Sequence, residues 1–388
     1  MRKARIIICL LMLALTVPAA YTMHKALPTN RQPMIERKYG GWSGVLRLWV
    51  RESLQDNCSA WLNRCIAIYE KRHPGVYVQP EYVDAGALSA EGLLPPDMIM
   101  FPPGALDGNG LTGLDLDAPL RPGLPRNDRA VPVMLGGYLW ACNAELLEGL
   151  PDSWREAGAT VCAPEDDADH QWGAALLALC SSKHNPAQAG PTDALRDEIE
   201  LGLAGEATEA TPSPTQGTLS CLLPEDFAQD GDAWRRFING EAAAMPVTAR
   251  EIRRLQALSD QGKGPDWHLG AAGDAAFTDQ VLYIGMCESQ DPEKRLLCNA
   301  FINHLLTDEC QKMLGMIGAC AVTGADSGYA PADDLRRMDQ LLRDLPLIVP
   351  APFDTAWRED VGRIVREFIH NHGDPGALLA QVRDRLGQ

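Results

Sequence analysis

The sequence predicts an α/β protein, and three features carry that reading. Val45 to Val50 (VLRLWV) is a nearly continuous apolar run, the pattern of a strand buried on both faces. Leu54, Cys58, Trp61, Cys65 and Ile68 then recur at steps of four, three, four and three, which places them on one face of a helix. Two more apolar runs follow, Val76 to Val83 and Asp97 to Phe101 (DMIMF). Strand, helix, strand and strand at this spacing make a βαβ unit and an α/β sheet. With 388 residues, 46 % of them apolar and 22 % charged, the chain has globular composition and length for two cores of domain size.

Arg2, Lys3 and Arg5 precede an uninterrupted apolar run from Ile6 to Pro18, and Val17-Pro18-Ala19 ends it with small residues. This is the pattern of an export signal, residues 1–20, or of an uncut N-terminal anchor; the run is short for a membrane span. No Cys directly follows the run, so lipid attachment is not supported. Residues 21–43 are polar and rich in Pro and Gly, a tether. The first helix, from about Ser53 to Arg72, is stopped by His73-Pro74-Gly75. Pro80 makes Val76 to Val83 an edge strand or a broken one. Pro102 to Asn127 has little periodicity. Val131 to Cys142 (VPVMLGGYLWAC) reads as strand, Ala144 to Glu148 and Pro151 to Ala157 as helix starts, Gln171 to Cys180 as an apolar helix, and Asn185 to Thr218 as loop or weak helix. Helices at Ala233 to Ile238 and Ala249 to Leu258 flank a short buried strand, Ala242 to Val247. Gln280 to Cys287 is a further strand, and one long helix is expected from about Pro292 to Ile317. Two helices, Trp357 to Asn371 and Pro375 to Leu386, end the chain.

Charge and motifs exclude several functions. The formal net charge is −17, and removal of residues 1–20 would take it to −20, because three basic and no acidic residues leave. So acidic a surface repels phosphate backbones, so no nucleic-acid partner is expected. Gly108-Asn109-Gly110-Leu111-Thr112-Gly113 spells G-x-G-x-x-G, but Pro102 and Pro103 precede it and an acidic, Pro-containing stretch follows, not the strand and helix a dinucleotide site needs. Asp115-x-Asp117 and Asp166-Asp167-x-Asp169 lack the Gly and distal Glu of a calcium loop. Asn57-Cys58-Ser59 matches a glycosylation sequon but falls on the first helix. G-x-S-x-G, H-E-x-x-H and C-x-x-C do not occur. The eleven cysteines form no small-domain framework, and most are expected to be buried thiols. Cys58 and Cys65 lie about 10 Å apart along one helix, too far for a bridge. His370-x-His372 has no thiols paired with it. No metal, no cofactor and no catalytic residue is expected.

Five blocks carry a resemblance: Tyr69 to Val83 (YEKRHPGVYVQPEYV), Pro95 to Gly104 (PPDMIMFPPG), Val131 to Trp154, Phe237 to Arg250 (FINGEAAAMPVTAR) and Lys294 to Thr323. In this order they resemble the extracellular solute-binding proteins of ABC importers (family 1, maltose-binding-protein-like). The resemblance implies a two-lobed periplasmic-binding-protein-like fold of type II, with hinge strands and a ligand cleft between lobes. Lobe 1 would be residues 44–134 plus 270–323 and lobe 2 residues 135–269 plus 324–388. It further implies a non-enzyme that captures a polar solute, a carbohydrate above all, by lobe closure and delivers it to an ABC permease, as an exported, extracytoplasmic monomer. Gly136-Gly137 falls at the first crossing, where a permissive backbone suits a bend or a β-bulge.

The residues that the resemblance places on the ligand are Arg51, Glu52 and Ser53 after the first strand, Phe101 before Pro102-Pro103-Gly104, Gly137 and Tyr138 at the crossing, Thr248 and Arg250 after AAAMPV, and Trp357. Flat aromatic faces and hydrogen-bonding rims are what sugars require. Glu52 equally suits a helix start, Arg250 a surface ion pair, and Trp49, Trp61, Trp140 and Trp172 a core. The segment after Phe101 has no acid or aromatic until Asp107, which leaves the ligand class open between carbohydrates and other polar solutes. Two alternatives share the compartment: a tethered binding protein that reports its ligand to a membrane signalling partner, and an exported glycan hydrolase, which would need a carboxylate pair about 5 to 10 Å apart in a cleft.

Overall fold

The structure, a computed structural model, describes residues 42–51, 58–83, 95–125, 127–146, 232–241, 244–270, 276–371 and 375–387. The expected export signal, nearly all of the tether, Glu52, Ser53 and the segments expected as helix between residues 151 and 180 lie outside them.

The chain opens with strand β1 (Gly44–Val50), helix α1 (Ser59–Arg72), strand β2 (Val76–Tyr82) and strand β3 (Met98–Phe101). Strand β1 pairs in parallel with both β2 and β3, which is the βαβ unit that the apolar runs predict. Pro80 lies within β2, on the outer edge of the sheet, where its missing N–H leaves no ladder bond unmade. Strands β4 (Leu111–Thr112) and β5 (Ala130–Leu135) follow. The run expected as one strand from Val131 to Cys142 is two: β5 ends at Leu135, and β6 (Leu139–Asn143) starts a different sheet. Ala144–Leu146, expected to begin a helix, is a turn in which Glu145 N–H donates to Asn143 Oδ1.

Helix α2 (Asp232–Ile238), strand β7 (Ala244–Val247), helix α3 (Ala249–Ser259) and strand β8 (Trp267–Gly270) complete the second sheet, in which β6 lies between β7 and β8 and is antiparallel to both. After β9 (Ala276–Phe277), strand β10 (Val281–Cys287) returns to the first sheet. There it runs antiparallel between β3 on one side and β4 and β5 on the other. Among the described strands, the chain thus passes between the two sheets twice, after Leu135 and before Val281.

The long helix expected over 292–317 is three pieces: α4 (Pro292–Leu305), α5 (Asp308–Gln311) and a 3-10 turn at Leu314–Ile317. Thr307 is extended (ψ 151°), which interrupts the ladder, and Gly318 closes the last turn in the left-handed conformation (φ 81°). Helix α6 (Asp334–Asp344) and strand β11 (Leu347–Ile348), which pairs with β9, carry no forecast in the sequence reading. Helices α7 (Trp357–Asn371) and α8 (Pro375–Leu386) match it. Among the described residues no helix is long and apolar enough to cross a membrane.

The core of the first sheet is continuous. Leu46, Leu48, Val50, Met98, Met100, Phe101, Val131, Val133, Leu135 and Val281 to Ile284 are buried on it. Helix α1 covers it with Trp61, Leu62, Cys65 and Tyr69, and α4 with Leu297, Phe301, Ile302 and Leu305. The polar ends of these side chains are satisfied: Trp61 Nε1 donates to Cys310 O at 2.9 Å and Tyr69 Oη to Leu297 O at 2.8 Å.

Candidate functional site

The strand directions bring chemistry to one place. In the first sheet the carboxyl ends of β1 and β3 share an edge with the end of β5 and the start of β10, because Tyr283 pairs with Phe101 and Val281 with Leu135. In the second sheet the start of β6 shares an edge with the ends of β7 and β8, because Leu139 pairs with Val247 and Trp140 with Gly270. Both edges meet the crossing segments. The order β2-β1-β3 also means that the chain leaves β1 toward one side and later returns to the other, the topology that opens a crevice at strand carboxyl ends.

The crossing is held by polar contacts. Gly136 N–H donates to Gln280 O at 2.6 Å, and Thr278 Oγ1 donates to Gly136 O at 2.8 Å. Tyr138 Oη donates to Asp279 Oδ1 at 2.8 Å, a bond between the two crossing segments. Asp279, Thr278 and Gln280 were missed by the sequence reading; their one signal was position, three consecutive polar residues just before an apolar strand. Gly136 and Gly137 are needed for space, which corrects the expectation of a permissive bend. Neither has a left-handed φ, but a Cβ on Gly136 would lie 2.4 Å from Gln280 Oε1, and one on Gly137 2.8 Å from Leu342 Cδ1. Leu342, on α6, is buried and has little room to withdraw.

Arg51 stands beside this edge, half-buried, with its N–H donating to Met100 O at 2.9 Å and its Nη1 to Ala105 O at 2.8 Å. Arg250 lies half-buried in the first turn of α3, at the corresponding edge of the second sheet. Three residues expected on the ligand are used otherwise. Phe101 is fully buried, its ring 5.8 Å from Phe353 and 6.2 Å from Tyr283. Trp357 is 3 % exposed; its Nε1 donates to Pro103 O at 3.2 Å, and its ring packs 6.3 Å from Phe277 and against Gly104. Both rings join the 102–104 loop to the C-terminal segment and have no face left for a sugar. Thr248 is the N-cap of α3: its Oγ1 accepts from Arg250 N–H, and Glu251 reaches back to Thr248 N–H at 3.0 Å. That reciprocal pair satisfies two donors that the helix start would otherwise orphan.

Two histidines are perturbed, chiefly by burial. The His73 ring, stacked 4.1 Å from Tyr69, and His268 both titrate below their ordinary 6.5. Among the described residues no group of three or more His, Cys, Asp or Glu is placed to hold a metal ion. Thr278 and Asp279 are buried and tie the crossing together, while Tyr138 and Gln280, with Arg51 beside them, are half-buried and carry the hydroxyl, amide and guanidinium groups that a hydroxyl-rich solute needs.

No protein-family model and no curated protein matches the sequence. The fold does match solved structures. Aligned are the GacH receptor of Streptomyces glaucescens (TM-score 0.53, 15 % identity, 89 % of this chain and 99 % of that one), determined unliganded and with acarbose. So are the sugar-binding protein MalE of Xanthomonas citri (0.56, 15 %, 88 % and 96 %) and the cyclic alpha-maltosyl-1,6-maltose binding protein of Arthrobacter globiformis (0.58, 11 %, 89 % and 98 %). At such identity the likeness shows the fold: the chain has the two-lobed architecture of these binding proteins, over nearly their whole length.

Proposed function

We propose that this chain is an extracytoplasmic binding protein that closes two lobes on a carbohydrate and delivers it to an ABC-type importer. One observation carries the reading: among the described strands, the chain crosses twice between two sheets whose edges both face the crossing, and the crossing is built of hydrogen-bonding groups. Segments of this kind let two lobes hinge about a solute that touches both. Residues 44–134 with 270–323 form one lobe in this reading, and 135–269 with 324–388 the other. Residues 1–20 direct export, and the acidic chain works as a monomer outside the cytosol. The sugars and acarbose named for the aligned proteins support a carbohydrate ligand. A binding protein needs no nucleophile, in keeping with the absence of G-x-S-x-G and H-E-x-x-H from the sequence.

The test is a thermal-shift screen of residues 21–388 against maltodextrins, other oligosaccharides, polyols and amino acids. A ligand at about a hundred times its dissociation constant adds about 2.7 kcal/mol of native-state stability. Stabilisation by a sugar that is recovered unchanged supports the reading. A shift confined to amino acids overturns the ligand class, and turnover of a glycan overturns the binding-protein reading altogether.

A further inference from the structure

The helices that cover the first sheet hold a pair that the proposed function does not use. Cys65 on α1 and Cys310 on α5 are free thiols, both fully buried, and their side chains neighbour each other beside His304. Neighbouring contacts fix both backbones. Trp61, one turn before Cys65, donates Nε1–H to Cys310 O at 2.9 Å. His304 Nε2 lies 3.0 Å from Cys65 O and 3.4 Å from Cys310 Sγ. A carbonyl can only accept, so Nε2 carries the hydrogen and shares it between that carbonyl and the sulfur. The imidazole thus points a donor at Cys310.

The two thiols differ in consequence. The hydrogen bond from Cys65 and then the contact with His304 hold Cys310 well below the usual thiol range, against the opposing effect of burial. The same bond, with burial, pushes Cys65 up. The contacts through Trp61 and His304 hold the two thiols next to one another, the placement a bridge needs.

We propose that Cys65 and Cys310 form a disulfide that clamps α1 to α5 when the chain folds against a disulfide oxidant. Either thiol, as its thiolate, attacks one sulfur of the oxidant, such as oxidised glutathione, and expels one thiolate, which takes up a proton. The other of the two, once deprotonated, attacks the protein sulfur of the mixed disulfide and expels the second. One small disulfide and two protein thiols become one protein disulfide and two small thiols. Both sulfurs are closed off in the folded protein, so exchange precedes the closing of α1 over the sheet. The loop closed spans most of the chain, the case in which a crosslink restricts the unfolded state most. The proposal relies on the export reading only for the supply of oxidant in the cell.

The experiment reduces and unfolds the full chain, refolds it in a glutathione redox buffer or with excess reductant, alkylates remaining thiols, and maps unreduced peptides by mass spectrometry. The expected result in the redox buffer is a linked peptide pair containing Cys65 and Cys310, with a thermal midpoint several degrees above that of the reduced protein. A Cys310→Ser variant should leave Cys65 alkylated and give one midpoint in both buffers. Alkylation of both Cys65 and Cys310 in the wild type overturns the proposal. So does linkage spread over other pairs, for instance Cys287 with Cys298. Should the variant not fold, the wild-type map and midpoints decide. Loss of sugar binding in the thermal screen would sink the proposed function and leave this result standing.

Discussion

The aromatic junction below the first sheet and the polar crossing beside it use the same kind of sequence for opposite ends. At the junction, Phe101, Phe353, Tyr283, Phe277 and Trp357 pack ring against ring, and the two polar handles among them are spent on carbonyls: Trp357 Nε1 on Pro103 O and Tyr283 Oη on Pro350 O. At the crossing, Tyr138 is half-buried and its hydroxyl meets a carboxylate on the other crossing segment. The difference teaches that an aromatic residue before a loop is as good a weld as a sugar platform, and that burial of its neighbours decides between them. Phe101 and Trp357 looked like ligand faces because they border loops at strand or helix ends. Once folded, those loops pack on each other.

Substitutions should separate the two regions. The largest effect is expected from Trp357→Ala, which removes a buried ring and leaves a cavity; loss of stability of about 3–5 kcal/mol is expected in urea unfolding. If Trp357 were instead a ligand platform, stability would hold and sugar affinity would collapse. Next is Gly137→Ala, whose new Cβ meets Leu342 Cδ1. Overpacking of this kind costs about 1–3 kcal/mol, and Leu342→Ala in the same chain should return part of the loss in a double-mutant cycle. Additive losses would show that Gly137 acts through its backbone and not through space.

A smaller effect is expected from Tyr138→Phe. It removes one hydrogen bond to a carboxylate, worth about 1.5–3 kcal/mol at most and less with water able to substitute. Titration calorimetry with the sugar that the thermal screen identifies should show weakened binding with the unfolding midpoint little changed, the reverse of Trp357→Ala. The smallest effect is in pH. His73 and His268 take up protons in the unfolded chain more readily than in the folded one, because burial lowers both below 6.5. Their contribution is complete above that value and declines as pH falls through it. The thermal midpoint should therefore be flat above about pH 7 and fall toward about pH 5, and His73→Gln with His268→Gln should make the decline shallower.

Much of this fold was legible because it is written in burial. The run Val45 to Val50 and the spacing of Cys58, Trp61 and Cys65 encode a strand and a helix that local pattern alone specifies. What failed was chain direction inside an apolar run. Val131 to Cys142 is apolar throughout, so nothing in its pattern separates β5 from β6; only the pair Gly136-Gly137 marks the change of sheet, and its reason is the closeness of Gln280 and Leu342. The break in the helix expected over 292–317 was hidden in the same way, since Met313, Leu314 and Ile317 keep the helical phase set by Phe301 and Leu305. The site was harder. Thr278, Asp279 and Gln280 have no spacing signal, because a crossing segment has neither a helical nor a strand period. Arg51 and Tyr138 came from a resemblance and stand beside the crossing; Thr248 came from it too and is a helix cap. Glu52 and Ser53 lie outside the described residues.

The central claim is that a solute is held where the chain crosses between two sheets. Hydrogen exchange of the chain with and without the sugar that gives the largest thermal shift tests this directly. The account predicts added protection at both crossings, around Gly136 to Tyr138 and around Thr278 to Gln280, together with the edges of both sheets. Protection confined to one sheet, with both crossings exchanging at their ligand-free rates, would contradict it.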